Sequence, residues 1–169
     1  LVIGYNQAML SIRPATPRDW PRIWSIFQAV VAAGDSFAWT AETTEHEAKQ
    51  LWMSTATAYV AESSGQVVGA YFIKPNQPGR GSHVANAAYM VDPNGHGLGV
   101  GRSMGEHSLA EARAAGYVAM QFNLVVSTNE RAVRLWRSLG FEILATLPQA
   151  FRHQGLGLVD AYLMHRSLA

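Results

Sequence analysis

Apolar residues recur along this chain at two spacings, and the points where the spacing switches divide it into strands and helices. Residues 8–13 are short and apolar, the pattern of a first strand. Thr16-Pro17 then sets an N-cap before a proline at the first helical position. Trp20, Ile23, Trp24, Phe27, Val30 and Val31 follow at helical spacing, which predicts an amphipathic helix ending near Gly34. Thr44-Glu45-His46-Glu47 has the form of a capping box and opens a second helix through residue 54. The period then falls to two. Residues 58–62 and 66–74 read as a hairpin over Ser64-Gly65, 75–81 as a loop, and 83–92 as a third long strand. Beyond a glycine-rich turn come a helix over 99–115, a strand over 117–126 and a helix over 129–139 stopped by Gly140. Closing strands are predicted over 141–147 and 159–165. The order β-α-α-β-β-β-α-β-α-β-β, about seven strands and four helices, predicts an α+β (mixed α/β) fold. Antiparallel hairpins come first and one parallel crossover lies around 83–126. A single domain is expected over 8–166, with residues 1–7 as an N-terminal extension.

Composition narrows the classes of function. With 49% hydrophobic and 15% charged residues, the 169-residue chain has the means to bury a core. A formal net charge of +1 without basic runs argues against nucleic acid or an anionic membrane as partner. The chain has no Cys, which removes disulfides, thiolate metal sites and cysteine nucleophiles together. No apolar run reaches the ~18 residues of a membrane span. A cytoplasmic location is the expectation from these features. His96, His107 and His153 lack metal-ligand spacing such as H-E-x-x-H, so no metal is expected.

Gly95, Gly97, Gly99 and Gly101 alternate directly after a predicted strand and Asp92-Pro93. Glycines there let the backbone approach a ligand closely, and the following helix presents unpaired N–H groups and the positive end of its dipole. An ordinary flexible turn has the same composition. Two nucleotide motifs are excluded. A P-loop needs Gly-Lys-Ser/Thr, which is absent, and every register of G-x-G-x-x-G fails, at Val100, Arg102 and Met104.

The segment Val91-Asp92-Pro93-Asn94-Gly95-His96-Gly97-Leu98-Gly99-Val100-Gly101-Arg102 resembles the acetyl-CoA motif of the GNAT superfamily of N-acetyltransferases, Arg/Gln-x-x-Gly-x-Gly/Ala after a strand. His96 stands where Arg or Gln is usual. A second segment, Asn129-Glu130-Arg131-Ala132-Val133-Arg134-Leu135-Trp136-Arg137-Ser138-Leu139-Gly140-Phe141, resembles the family's N-x-x-A-x-x-L-Y-x-x-x-G-F. The resemblance implies a GNAT-like fold and acetyl-CoA as co-substrate. It implies that the backbone of the turn, from His96 through Gly97, Leu98, Gly99, Val100 and Gly101, holds the pyrophosphate. Met90 and Val91 would pair with the pantetheine arm like an added strand. Arg102 would add positive charge, and Asn129 and Trp136 would touch the cofactor.

Acetyl transfer to an amine needs a neutral amine, hydrogen-bond donors for the thioester oxygen and a donor for the leaving thiolate. Many relatives place a Tyr where this chain has Trp136, whose indole can donate a hydrogen bond but has no proton to give. Trp136 is therefore expected either along the pantetheine or as a core aromatic. Asn86 and Asn123 interrupt apolar strands, where Asn is disfavoured. Each could face an opening between neighbouring strands or satisfy a backbone group at a bulge. The stretches around Lys74-Pro75-Asn76, Gly81 to Ala87, Phe122 to Val125 and Thr128-Asn129 resemble a GNAT branch containing fungal acetyltransferases for proline analogues such as azetidine-2-carboxylate. That resemblance gives Asn86 and Asn123 catalytic and substrate-binding roles. His83 reads as a base or a surface residue. Phe151-Arg152-His153 reads as a loop over the site, with Arg152 able to bind a substrate carboxylate. Ser36 to Trp39 forms a possible substrate wall, and Glu42, Glu45 and Glu47 a solvated helix start. The expected partner is a small-molecule amine, and the apolar final strands suit a homodimer. Alternative readings are a protein or peptide N-acetyltransferase and a non-catalytic acyl-CoA sensor.

Overall fold

The structure is a computed structural model describing residues 10–95 and 99–169. Its strands are β1 (Leu10–Pro14), β2 (Thr57–Ser63), β3 (Gln66–Pro75), β4 (Val84–Val91), β5 (Ala119–Val126), β6 (Glu142–His153) and β7 (Gly157–Ser167). The helices are α1 (Trp20–Ala33), α2 (Glu45–Lys49), α3 (Val100–Ala114) and α4 (Glu130–Ser138). The strands form one sheet in the order β1-β2-β3-β4-β5-β7-β6. Neighbours are antiparallel except β4 and β5, which are parallel through the crossover helix α3.

Alternation along the strands splits the core in two. On β3, Tyr71 and Ile73 face one way and pack with Met104 of α3, Phe122 of β5, and Trp136 and Phe141 around α4. Ala70 and Phe72 face the other way and pack with Ile23, Phe27 and Trp52 beneath α1 and α2. Helices therefore cover both faces of β2 to β4. Gly105 lets α3 and α4 approach closely, because a Cβ there would lie 2.6 Å from Leu139 Cδ1 and 3.2 Å from the Trp136 ring. At the start of α1 the Asp19 carboxylate accepts two bonds from Arg13, at 2.8 and 2.9 Å, and one from the Thr16 backbone at 2.7 Å. The Arg13 guanidinium holds this carboxyl well below the usual carboxylate range, against the opposing effect of burial. Arg13 also pairs with Glu62, joining β1 to β2.

The structure revises several boundaries. The second helix starts as expected, with Thr44 and Glu47 capping each other. It ends in a wider turn over Gln50–Ser54, where the Thr55 N–H reaches the Gln50 carbonyl at 3.1 Å. His83 precedes β4 and is exposed. The largest correction concerns residues 151–153. They are not a loop but the end of a β6 that runs on to His153, paired Phe151↔Val159, Arg152↔Leu158 and His153↔Gly157. Pro148 breaks the alternation in sequence, and a register shift between Leu147 and Phe151 absorbs the break so that pairing resumes.

Candidate active site

The site begins where the two parallel strands part. β4 and β5 pair only at Val84↔Ala119 and Ala85↔Met120. From Asn86 to Val91, β4 keeps its β3 partners, Lys74 to Gly69, on one side, while on the other it has no strand partner among the described residues. On β5, a register shift against β7 between Phe122 and Val125 bends the strand. A row of β4 backbone groups, those of Met90 and Val91 among them, is thereby left without a strand partner on that side among the described residues. Val91 is half-buried, and the Met90 side chain is itself buried in the core below α1.

Beyond the open end of β4 stands the N-terminus of α3. Its N-cap is Gly99, in the left-handed region at φ 68°, with no side-chain cap and no acidic residue in the first turn. A Cβ at Gly99 would meet nothing within 4 Å. The first N–H groups of α3 lie at the positive end of its dipole. Val100 is buried and Gly101 half-buried. Arg102 is exposed, bonded to Ser138 Oγ at 2.7 Å and paired with Glu106 at 3.4 Å. His96, Gly97 and Leu98 lie outside the described residues. The entrance to the turn is anchored by contacts that the sequence did not suggest. Arg22 of α1 pairs with Asp92, and Asp92 Oδ1 accepts the Asn94 N–H at 3.0 Å.

The two asparagines flank the fork. Asn86 Nδ2 donates to the Gln121 carbonyl at 2.9 Å, across the first position at which the strands no longer pair. Asn123 sits in the β5 irregularity and is exposed. Its Nδ2 donates to Asn76 Oδ1 at 2.7 Å, and its Oδ1 accepts from Gln121 Nε2 at 2.9 Å. Both readings of these residues therefore meet in one place: each sits at the opening, Asn86 also serves a backbone group, and Asn123 also occupies a bulge. Asn76 and Gln121 complete the group. The sequence assigns them no role: Asn76 lies in a stretch that carries the branch resemblance but after Pro75 reads as turn chemistry, and a lone Gln in a strand reads as a surface position. Directly across from Gln121 on β7, and so on the same face, is half-buried His165.

Of the remaining candidates, Asn129 is the N-cap of α4 and accepts the Ala132 N–H at 3.2 Å. Trp136 is 8% exposed and packs against Tyr89 at 4.7 Å and Phe122 at 4.8 Å. Phe37 and Trp39 are half-buried against Phe27, making an aromatic wall after α1. A cavity of about 330 Å³ opens between Asp35, Thr128, Asn129, Glu130, Arg131 and His153. Arg152 is exposed and is not among its lining residues, since strand alternation gives that side to His153. The Gln154 N–H donates to the Gly34 carbonyl at 2.9 Å, tying the β6–β7 turn to the end of α1 beside this cavity. Behind the site, burial raises the phenols of Tyr71 and Tyr89, and burial with a bond to Glu111 pushes Tyr59 up to about 12. These tyrosines stay neutral at ordinary pH. Among the described residues no group of three or more His, Asp or Glu is placed to hold a metal ion.

An open strand edge leading to a helix N-terminus suits an extended amide-bearing arm that ends in phosphates. Comparison with known proteins agrees. Residues 20–141 match the profile of the Acetyltransferase (GNAT) family. The N-acetyltransferase aca1 of Schizosaccharomyces pombe is 40% identical over 98 residues, covering 57% of this chain. The chain spans about half of that fungal relative's length, at 47%. A GCN5-related N-acetyltransferase structure from Kribbella flavida superposes with a TM-score of 0.90 at 41% identity, covering 94% of this chain and 97% of that one. The structure of yncA from Salmonella typhimurium with its cofactor acetyl-CoA gives 0.81 at 27% identity, covering 95% and 94%.

Proposed function

The chain belongs to the Acetyltransferase (GNAT) family, and we propose that it transfers the acetyl group of acetyl-CoA to the amine of a small amino-acid-like molecule by direct attack. The observation that carries this reading is the fork, where an open β4 edge leads from the α3 N-terminus to a cluster of side-chain amides. The co-substrate supplies an activated thioester. The β4 edge from Asn86 to Val91 aligns its arm, and the α3 N–H groups with the flanking turn hold its phosphates. Arg102 adds charge at that end, and Asn129 sits at the start of α4 beside the same opening.

Asn86 and Asn123 are the groups we assign to the reacting centre. An amide N–H is a donor that needs no ionisation, so it can stabilise charge growing on an acyl oxygen or hold a substrate carboxylate. The chain has no Cys to carry the acyl group, which favours a direct encounter of amine and thioester. The fungal-branch resemblance supports an amino-acid-like acceptor, as does the polar lining of the cavity between Asp35, Thr128, Asn129, Glu130, Arg131 and His153.

Thiol release from acetyl-CoA, measured against an amine panel that includes azetidine-2-carboxylate, tests the reading. Turnover of a proline analogue is expected. Turnover confined to peptides would move the assignment to a protein N-acetyltransferase. Silence together with a cofactor-dependent rise in Tm would make the protein a sensor. We also propose a homodimer along β6, an edge strand of 12 residues with Leu144 56% exposed. A monomer in light scattering at micromolar concentration would remove that part.

A further inference from the structure

We propose that Asn76 and Gln121 are positioning residues, holding the Asn123 amide in one of its two orientations so that it offers an N–H to the reacting centre. The proposal rests on the assignment of Asn123 to that centre.

Asn123 lacks the usual restraints of a strand residue. The β4–β5 ladder has already ended at Ala85↔Met120, and the β5–β7 ladder skips from Phe122 to Val125. An exposed Asn at such a point would turn its amide over freely, and the two orientations present opposite chemistry, an acceptor or a donor. Two neighbours break this symmetry. Gln121 Nε2 donates to Asn123 Oδ1 at 2.9 Å, and Asn123 Nδ2 donates to Asn76 Oδ1 at 2.7 Å. The three amides run head to tail. One N–H of Asn123 is used by Asn76, and the second has no partner among the described residues.

The two outer residues of this chain of amides are held in place through their main-chain groups. Asn76 follows Pro75 at the end of β3, and its own N–H donates to the Val84 carbonyl at 2.8 Å, where the loop returns to β4. The Gln121 carbonyl accepts from Asn86 Nδ2 at 2.9 Å. The circuit thus ties the β3–β4 loop, β4 and β5 together at the fork, and it places Asn86 and Asn123 on a common frame. Positioning of this kind matters because a donor that is already aimed costs no reorganisation as charge develops.

Polarity makes the proposal testable by paired substitutions. In Asn76→Asp the carboxylate still accepts from Asn123, and kcat stays within about threefold of the parent protein. Asn76→Ala removes the acceptor and lowers kcat by about tenfold. Gln121→Glu replaces a donor by an acceptor, turns the Asn123 amide over and lowers kcat by about tenfold or more, with KM for acetyl-CoA unchanged. Equal loss in the two Asn76 variants, or parental kcat in Gln121→Glu, overturns the proposal. Asn123→Ala separates the two levels of the argument. If it turns over normally, the assignment of Asn123 fails, and the positioning role with it; if it is slow while Asn76→Ala and Gln121→Glu are normal, only the positioning role fails. A readout without turnover is the 15N-detected side-chain amide of Asn123 in the free protein. Its resonance moves in Asn76→Ala and Gln121→Glu, and an unchanged resonance in both also overturns the proposal.

Discussion

The two halves of the sheet are built on opposite terms. From β1 to β4 the strands pair nearly without interruption, and helices lie on both faces of β2 to β4. From β4 onward the ladder opens after two pairs, β5 and β6 carry register shifts, and Ile143, Leu144 and Leu158 remain exposed. The closed half supplies a stiff β4, and the open half supplies the gap beside it. A ligand can add to β4 because β3 already holds its other edge. The proposed site lies at the seam, with a fully paired strand on one side and an unpaired edge on the other.

Four substitutions probe that division, from the largest effect to the smallest. Trp52 is fully buried below the sheet, edge-on to Phe72 at 4.8 Å. Trp52→Ala is expected to destabilise by about 4 kcal/mol in urea unfolding. A small loss there would mean that the closed half is softer than its packing indicates. Asp19→Ala, which removes two charged bonds from Arg13, leaving it Glu62, and the acceptor of the Thr16 N–H, costs about 3 kcal/mol. The same pair gives a pH dependence. The Asp19 carboxyl binds its proton less readily in the folded state, so its contribution is full above pH ~4 and is lost as pH falls through its lowered folded value. Between pH 5 and pH 3 the parent protein should therefore lose more stability than Asp19→Ala. Parallel losses would show that the bond to Arg13 does not depress the carboxyl.

In the open half the readout changes from stability to ligand. Acetyl-CoA at about a hundredfold above Kd should stabilise the protein by roughly 2.7 kcal/mol, and Gly99→Trp should abolish that shift by filling the space outside the α3 N-terminus. An intact shift would place the cofactor elsewhere. Leu144→Lys on exposed β6 should change monomer stability by less than about 0.5 kcal/mol. If β6 is the dimer edge, the same change lowers the apparent mass in light scattering.

Much of this organisation is legible in the amino-acid sequence. The helix over Trp20 to Val31, the capping box at Thr44 and the hairpin at Ser64-Gly65 all follow from local rules, and all are present. The end of β6 was not legible, because Pro148 imitates a strand terminus and only pairing with β7 restores the strand beyond it. Arg152 looked suited to a carboxylate on charge alone, whereas the face it occupies depends on that pairing. Trp136 stands at a motif position, and its packing against Tyr89, Phe122 and Phe141, from three other segments, is visible only in the fold.

The order of elements, the glycine-rich turn and the two asparagines that disturb apolar strands are readable from the sequence alone. These are local properties, set by side-chain periodicity, backbone freedom and the cost of an amide in an apolar run. Only the tertiary structure decided that β4 and β5 part after Ala85 and Met120, and that Asn76 and Gln121 meet Asn123 there. A hydrogen bond between residues 47 apart, such as that from Asn123 to Asn76, leaves no periodic trace in the chain. It exists because the sheet brings the loop after β3 alongside β5.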